Sequence, residues 1–294
     1  MPPTTRTRAH PRDLIVAAAM GDEDVVRRLL KCYDAKIWTE QERQDEEGLT
    51  AMMHAAISGH ESIVRLLIEA GGDVTERSAC GGWTALMHAV YNEHESIVRL
   101  LIECGSDVNT KTYEGDLTYG GERELWSVLM IAAHYGNESI VRLLIEAGAD
   151  VPYREAQFGR TALMLAAENG YESIVRLLIK EARGVRYWLE TWLWIRGVER
   201  KDINGQTALL LAARGGHEST FHALVECGAD DKVKFNGETP VQVLIEKVKG
   251  KQQNTDAARE HAQSVQQLID EDTQQLSDGL YMKLCDMNKR AFDS

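Results

Sequence analysis

With 294 residues, 44% of them hydrophobic and 27% charged, the chain has the composition of a folded protein with a sizeable core and not of a disordered tail. Forty-six acidic against 33 basic residues leave a net charge of −13, so nucleic acid and anionic membrane surfaces both meet repulsion first. The five cysteines, Cys32, Cys80, Cys104, Cys227 and Cys285, are odd in number and include no CxxC pair, which points to reduced thiols and a cytoplasmic setting.

In chain order, residues 1–12 hold Pro2, Pro3, Pro11 and three arginines, and are predicted to be a disordered arm. Leu14 to Met20 is the longest apolar stretch, far too short to span a bilayer. A signal peptide is opposed by Asp13 before it and by the acidic run Asp22-Glu23-Asp24 after it. From there one phrase dominates: ESIVRLLI stands at 61–68, 95–102, 138–145 and 172–179. Ahead of each copy, and twice beyond them, runs a segment opened by a hydroxyl residue: Thr50, Thr84, Ser127, Thr161, Thr207 and Thr239. Their spacings of 34, 43, 34, 46 and 32 give a period near 33 with two insertions.

Each hydroxyl is predicted to cap a short first helix by accepting an unpaired backbone N–H. Small pairs such as Ala55-Ala56 and Ala166-Ala167 let neighbouring helices approach, and Gly59, Gly136, Gly170 and Gly216 end the helix through left-handed backbone. The second helix carries Ile63, Leu66 and Leu67 and their equivalents on one apolar face, and Gly71, Gly105, Gly148 and Gly228 close it. Glu61, Arg65 and Glu69 recur as 95/99/103 and 138/142/146; identical carboxylates in successive copies read as a solvated face, not as a catalytic or metal cluster. A two-helix unit cannot bury its own apolar stripe, so the copies must stack on a shared core.

The segments Thr-Ala-Leu-Met-x-Ala-Ala and Gly-His-Glu-Ser-Ile-Val-Arg-Leu-Leu-Ile-Glu-Ala-Gly-x-Asp-Val at this period resemble the ankyrin repeat, over residues 13–248. The Thr-Ala-Leu-Met form is similar to ankyrin families of some flagellated protists. Where the family has Pro, four of the five central copies have Ala and the third has Val128, and only Thr239-Pro240 keeps it. The resemblance implies an all-α solenoid of paired antiparallel helices with hairpin loops, in about six to seven units including caps. Their expected bounds are near 13–46, 47–80, 81–124, 125–157, 158–203, 204–235 and a cap at 236–248. Residues 249–294 are predicted to form a helical extension.

Function is sought where the copies disagree. The family holds partners on its concave face, which carried over by position gives Tyr91, Asn92, His134, Tyr135, Glu168 and Arg214. The insertion Asn109–Glu124, with Tyr113 and Tyr119, reads as a lengthened hairpin loop, open to a contact or a passive role. In the second, VRYWLETWLWIRG, the stripe Val185, Trp188, Leu189, Trp192 and Leu193 is predicted to pack on adjacent repeats, leaving Tyr187 and Trp194 as candidate contacts. The histidines recur by copying, with no HxxxH or HExxH, and no phosphate loop or nucleophile elbow stands in the chain.

No catalysis, cofactor or metal is therefore expected. The implied function is a cytoplasmic, monomeric, non-catalytic scaffold or adaptor for protein partners. Two alternatives stand: a regulatory subunit docking a kinase or ubiquitin ligase through the C-terminal helices, and a cytoskeletal attachment protein. Some ankyrin proteins end in a ligase-recruiting box, but the spacing around Leu280 and Cys285 departs from it.

Overall fold

The structure, a computed structural model, describes residues 11–32, 44–79, 81–113, 126–184, 198–232 and 234–250. The Trp-rich insertion, most of the first insertion and the C-terminal extension lie outside the described residues. The chain divides into two compact units, Met1–Leu244 and Ile245–Ser294, and the repeated helix pairs all belong to the first.

Among the described residues six helix pairs follow one another: α1 (Pro11–Met20) and α2 (Glu23–Cys32), α3 (Ala51–Ser58) and α4 (Glu61–Glu69), α5 (Ala85–Tyr91) and α6 (Glu95–Glu103), α7 (Val128–Tyr135) and α8 (Glu138–Glu146), α9 (Ala162–Glu168) and α10 (Glu172–Gly184), α11 (Ala208–Gly215) and α12 (Glu218–Glu226). First helices pack on first helices, α1 on α3, α3 on α5, and so on to α11; second helices form a parallel row from α2 to α12. The described residues hold no strand, only isolated antiparallel bridges where a finger-like turn meets each N-cap, as at Arg77 with Thr84 and Arg154 with Thr161. This is the all-α stacked solenoid that the repetition requires.

Local chemistry sets each pair. The Thr50 hydroxyl accepts the Met53 N–H at 3.2 Å, and Thr84, Ser127, Thr161 and Thr207 accept from Met87, Met130, Met164 and Leu210 at 3.3 Å. The first helices lie between neighbours on both sides, so they are buried nearly all round: Ala55, Leu86, Met87, Met130, Ala132 and Leu165 expose no more than 1% of their surface. The second helices bury one stripe, Ile63, Val64 and Leu67 in α4. Their outer side carries the expected Glu to Arg pairs, 2.9 Å in α4, 3.2 Å in α6 and 2.8 Å in α8.

That outer side does more than face water. Glu23, Glu61, Glu95 and Glu138 also hydrogen-bond Ser62, Ser96, Ser139 and Ser173 of the next copy. The Glu and Ser of the repeated phrase are thus a rung between units, which gives a physical reason for copying surface residues.

A second rung explains the histidines. Gly59 turns the chain at φ 80° and a Cβ placed there would lie 2.8 Å from Cε1 of His94 in the next unit; Gly21 faces His60, Gly136 faces Tyr171 and Gly170 faces His217 in the same way. The ring fills the space that only glycine leaves, and His94 Nε2 and His217 Nε2 sit 3.1 and 2.9 Å from the carbonyl oxygens of Ile57 and Glu168. One copy departs: Glu93 holds the glycine position at φ 62°, and opposite it stands Asn137, with no ring. Asn137 instead caps α8, accepting the Ile140 N–H at 3.2 Å.

Candidate functional site

The residue before each N-cap is Leu49, Trp83, Trp126, Arg160 or Gln206, the least alike column beside the most alike. A finger residue anchors it from behind: Ser78 N–H donates to Trp83 O at 2.8 Å, and Thr112, Glu155 and Asp202 donate to Trp126, Arg160 and Gln206 at 2.9–3.0 Å. The buried Glu155 carboxylate reinforces one such turn by accepting three backbone N–H groups, from Gln157, Phe158 and Arg160. From this residue to the one eight further on the first helix makes about two turns of 3.6 residues, so both face a similar side and long side chains can meet along the helix.

Four pairs result, and their chemistry changes along the array. Trp83 and Tyr91 meet edge to face at 5.7 Å between ring centroids, and Trp126 and His134 at 4.9 Å. Arg160 Nη1 lies 2.8 Å from Glu168 Oε2, and Arg214 Nη1 donates to Gln206 Oε1 at 2.8 Å. Neighbouring pairs join across repeats, since Tyr91 and Tyr135 meet at 4.8 Å and His134 and Tyr135 at 4.9 Å. Trp83, Tyr91, Tyr135, His134 and Trp126 therefore form one aromatic strip, with edge-to-face contacts of the kind that stabilise by about 0.5–1.5 kcal/mol each. Asn169 Nδ2 carries the line onward, 3.2 Å from His134 Nδ1, and the Arg214 guanidinium sits 5.8 Å from the Phe235 ring centre.

The strip is neutral near pH 7. Burial, then a hydrogen bond with Tyr91, pushes the Tyr135 phenol up to about 12, and burial lowers the His134 imidazole. Under Trp83, whose ring is 5.1 Å away, His88 is 3% exposed, its pKa brought to about 4 by burial and then by the charge of His54, and its Nε2 has no hydrogen-bond partner among the described residues. Tyr135 itself is 37% exposed, while Tyr91, Asn92, His134 and Glu168 are half-buried and Arg214 is exposed. The surface offers flat rings with polar ends, a composition suited to contact.

The six positions expected on the first helices, Tyr91, Asn92, His134, Tyr135, Glu168 and Arg214, thus stand along one row of helix ends. Asn92 caps its helix through Nδ2 on the His88 carbonyl at 2.9 Å. Tyr187 and Trp194 lie outside the described residues. Missed by sequence were Trp83, Trp126, Arg160 and Gln206; the signal was there, a divergent column eight residues ahead of the chosen one. Tyr113 of the first insertion is held down, its hydroxyl donating to the Ser78 and Ala79 carbonyls at 3.1 and 3.2 Å. His54 lies 2.6 Å from Asp45, and among the described residues no three His, Cys, Asp or Glu side chains gather to hold a metal. No helix there is long and apolar enough to cross a membrane.

A family model described as Ankyrin repeats (3 copies) matches residues 14–112 and 116–191, and one described as Ankyrin repeat matches 204–234. A search of the curated proteins found no match. Among solved structures, the ankyrin repeat domain of Bcl-3, described as a unique member of the IkappaB protein family, is 26% identical with a TM-score of 0.61, covering 79% of this chain and 92% of that one. A chain of the complex of the Bd0816 predatory endopeptidase from Bdellovibrio bacteriovorus with immunity protein Bd3460 is also 26% identical, TM-score 0.58, covering 74% of this chain and 99% of that one.

Proposed function

The chain belongs to the ankyrin-repeat family, whose repeats generally mediate contact between proteins, and from that premise we propose that it is a non-catalytic scaffold or adaptor that holds a protein partner along the row of first-helix ends. The observation that carries this reading is the confinement of variation. Caps, inter-repeat rungs and buried apolar positions are copied from unit to unit, whereas the paired columns change from ring pairs at 83/91 and 126/134 to an ion pair at 160/168 and an amide with a guanidinium at 206/214. Stacking depends on the first set far more than on the second. The aromatic strip supplies the anchor, since Trp and Tyr bury large area at low entropic cost. In this reading the protein works as a cytoplasmic monomer, and its Thr-Ala-Leu-Met copies are akin to the protist arrays.

The test is affinity purification with the intact chain, the Tyr91→Ala/Tyr135→Ala double variant and an outer-face control, Arg99→Ala. The double variant is expected to lose a partner that the control keeps, with circular dichroism of both unchanged. Retention of every partner by a folded double variant overturns the proposal.

A further inference from the structure

The finger turns present a second regularity, and it is electrostatic. A shared backbone bond fixes their register: Asp45, Ser78, Thr112, Glu155, Asp202 and Phe235 each donate N–H to the residue at the base of their turn, namely Leu49, Trp83, Trp126, Arg160, Gln206 and Glu238. The residue immediately before each donor is Gln44, Arg77, Lys111, Arg154, Lys201 or Lys234. Five consecutive units of a chain carrying a net charge of −13 therefore place a cation at the same exposed point.

Their partners separate these cations from the arginines of the second helices. There Arg65, Arg99, Arg142 and Arg176, equally in register, each meet a carboxylate at 2.7–3.2 Å. On the fingers no ion pair engages any of the five among the described residues. Arg77 donates through Nε to the Gly82 carbonyl at 3.2 Å and through its other end to the Lys111 carbonyl; Arg154 repeats this on Gly159 at 2.9 Å and Lys201 at 3.1 Å. Each guanidinium thus spans two fingers on neutral acceptors, with no carboxylate among the described residues within ion-pair distance and donors to spare. Lys111 Nζ stands 4.0 Å over the Tyr153 ring, again a neutral partner. The nearby Asp73, Asp107 and Asp230 instead fix the finger backbone, accepting the N–H of Thr75, Asn109 and Lys232 at 2.8–2.9 Å.

We propose that this row of cations receives an acidic, extended segment of the protein partner; the inference rests on the scaffold reading and adds the partner's chemistry. Successive units lie roughly 10 Å apart, the usual spacing of packed helices. A polyproline II segment advances about 3.1 Å per residue with three residues per turn, so carboxylates at every third position share one face roughly 9 Å apart and meet successive cations. A nucleic acid fits worse, because its charges fall every ~1.7 Å along a duplex and most would face the acidic remainder of the surface. The row is continuous with the aromatic strip, since Trp83 and Trp126 are the residues that the fingers of Arg77 and Lys111 anchor. Acidic groups on the fingers and an apolar or aromatic side chain on the strip complete the contact.

The experiment uses the full chain and a fluorescent peptide of about 15 residues with Glu at every third position, beside a Lys counterpart and a single-stranded oligonucleotide of matching length. Anisotropy is read at about 50 and 200 mM NaCl. Expected are binding of the acidic peptide, weakening with salt, and at least a tenfold loss in Lys111→Glu/Lys201→Glu/Lys234→Glu, with the Lys→Gln triple variant as the substitute should that protein fail to fold. No binding of the acidic peptide at low salt, or preference for the Lys peptide or the oligonucleotide, overturns the inference. A triple variant that keeps the native partner in the pull-down overturns it as well, while the scaffold reading stands or falls separately on Tyr91 and Tyr135.

Discussion

The one irregular rung of the array allows a quantitative test of how the units are joined. Glu93 occupies left-handed backbone at φ 62°, a conformation costing a side-chain-bearing residue about 1–2 kcal/mol. Glycine removes that strain but adds about 0.5–1 kcal/mol of unfolded-state entropy, so Glu93→Gly alone is expected to stabilise by about 0.5–1 kcal/mol. Asn137→His alone loses the cap on Ile140, costing about 1 kcal/mol, and sets a ring against the Glu93 Cβ. At the regular rungs that approach is 2.4–2.8 Å, closer than side chains tolerate, so the single variant is expected to lose about 2–3 kcal/mol in all. Together the two changes restore the glycine and ring pairing of Gly59 with His94. The double variant should exceed the sum of the singles by about 1–2 kcal/mol, a coupling well above the ~0.5 kcal/mol scatter of independent sites. Urea denaturation of the four proteins by far-ultraviolet circular dichroism measures it, provided the slope is shared, since repeat arrays can lose all-or-none behaviour. Additivity within about 0.5 kcal/mol would refute the claim that glycine and ring are one inter-repeat device.

His88 predicts an acid sensitivity. Its folded pKa is about 4 against an ordinary 6.5, so below pH 6.5 the unfolded chain takes up a proton that the folded chain refuses, and stability falls as pH drops from 6.5 to 4. At about 1.4 kcal/mol per pH unit the loss reaches roughly 3 kcal/mol, with His134 adding in the same direction. His88→Leu, the residue that Leu165 and Leu211 supply in the same register, is expected to flatten that slope and, by removing the unpartnered Nε2, to gain about 1 kcal/mol at pH 7. Denaturation midpoints between pH 7 and 4 check both points, and an unchanged acid slope in the variant excludes His88 as its source. Thr161→Ala removes the hydroxyl that accepts the Met164 N–H and is expected to cost about 1 kcal/mol, a fall of about 2–4 °C in Tm by calorimetry.

Helices, caps and stacking were legible in the sequence because they rest on contacts three or four residues apart, written afresh in every copy. Thr50 to Met53 and Glu61 to Arg65 need no knowledge of neighbours. What joins unit to unit was not legible, since Glu61 reaches Ser96 and Gly59 meets His94 across a whole repeat. The same limit hid half of the candidate surface. Tyr91 and His134 could be placed from helix ends, but their partners Trp83 and Trp126 lie at the far end of the helix, and only the two turns between them bring the pair together. Tyr113 is settled from just as far away: its hydroxyl is held by the Ser78 and Ala79 carbonyls, 35 and 34 positions earlier.

The separation of these two sets of positions explains how the surface can specialise. Truncating a buried residue such as Leu86 or Leu129 costs about 2–5 kcal/mol and disturbs the units on either side. Exchanging a surface pair costs less: a half-buried ion pair such as Arg160 with Glu168 stabilises by on the order of 1 kcal/mol, and a ring pair such as Trp126 with His134 by about 0.5–1.5 kcal/mol. Each unit can therefore change what it shows without changing how it stacks. The surface also has a direction, running from rings at 83, 91, 126, 134 and 135 to an ion pair at 160 and 168 and a Gln with Arg at 206 and 214. If the proposed partner lies along this row, the reverse sense would set its polar groups on the rings and its apolar ones on charge, so the order of the pairs would favour one orientation.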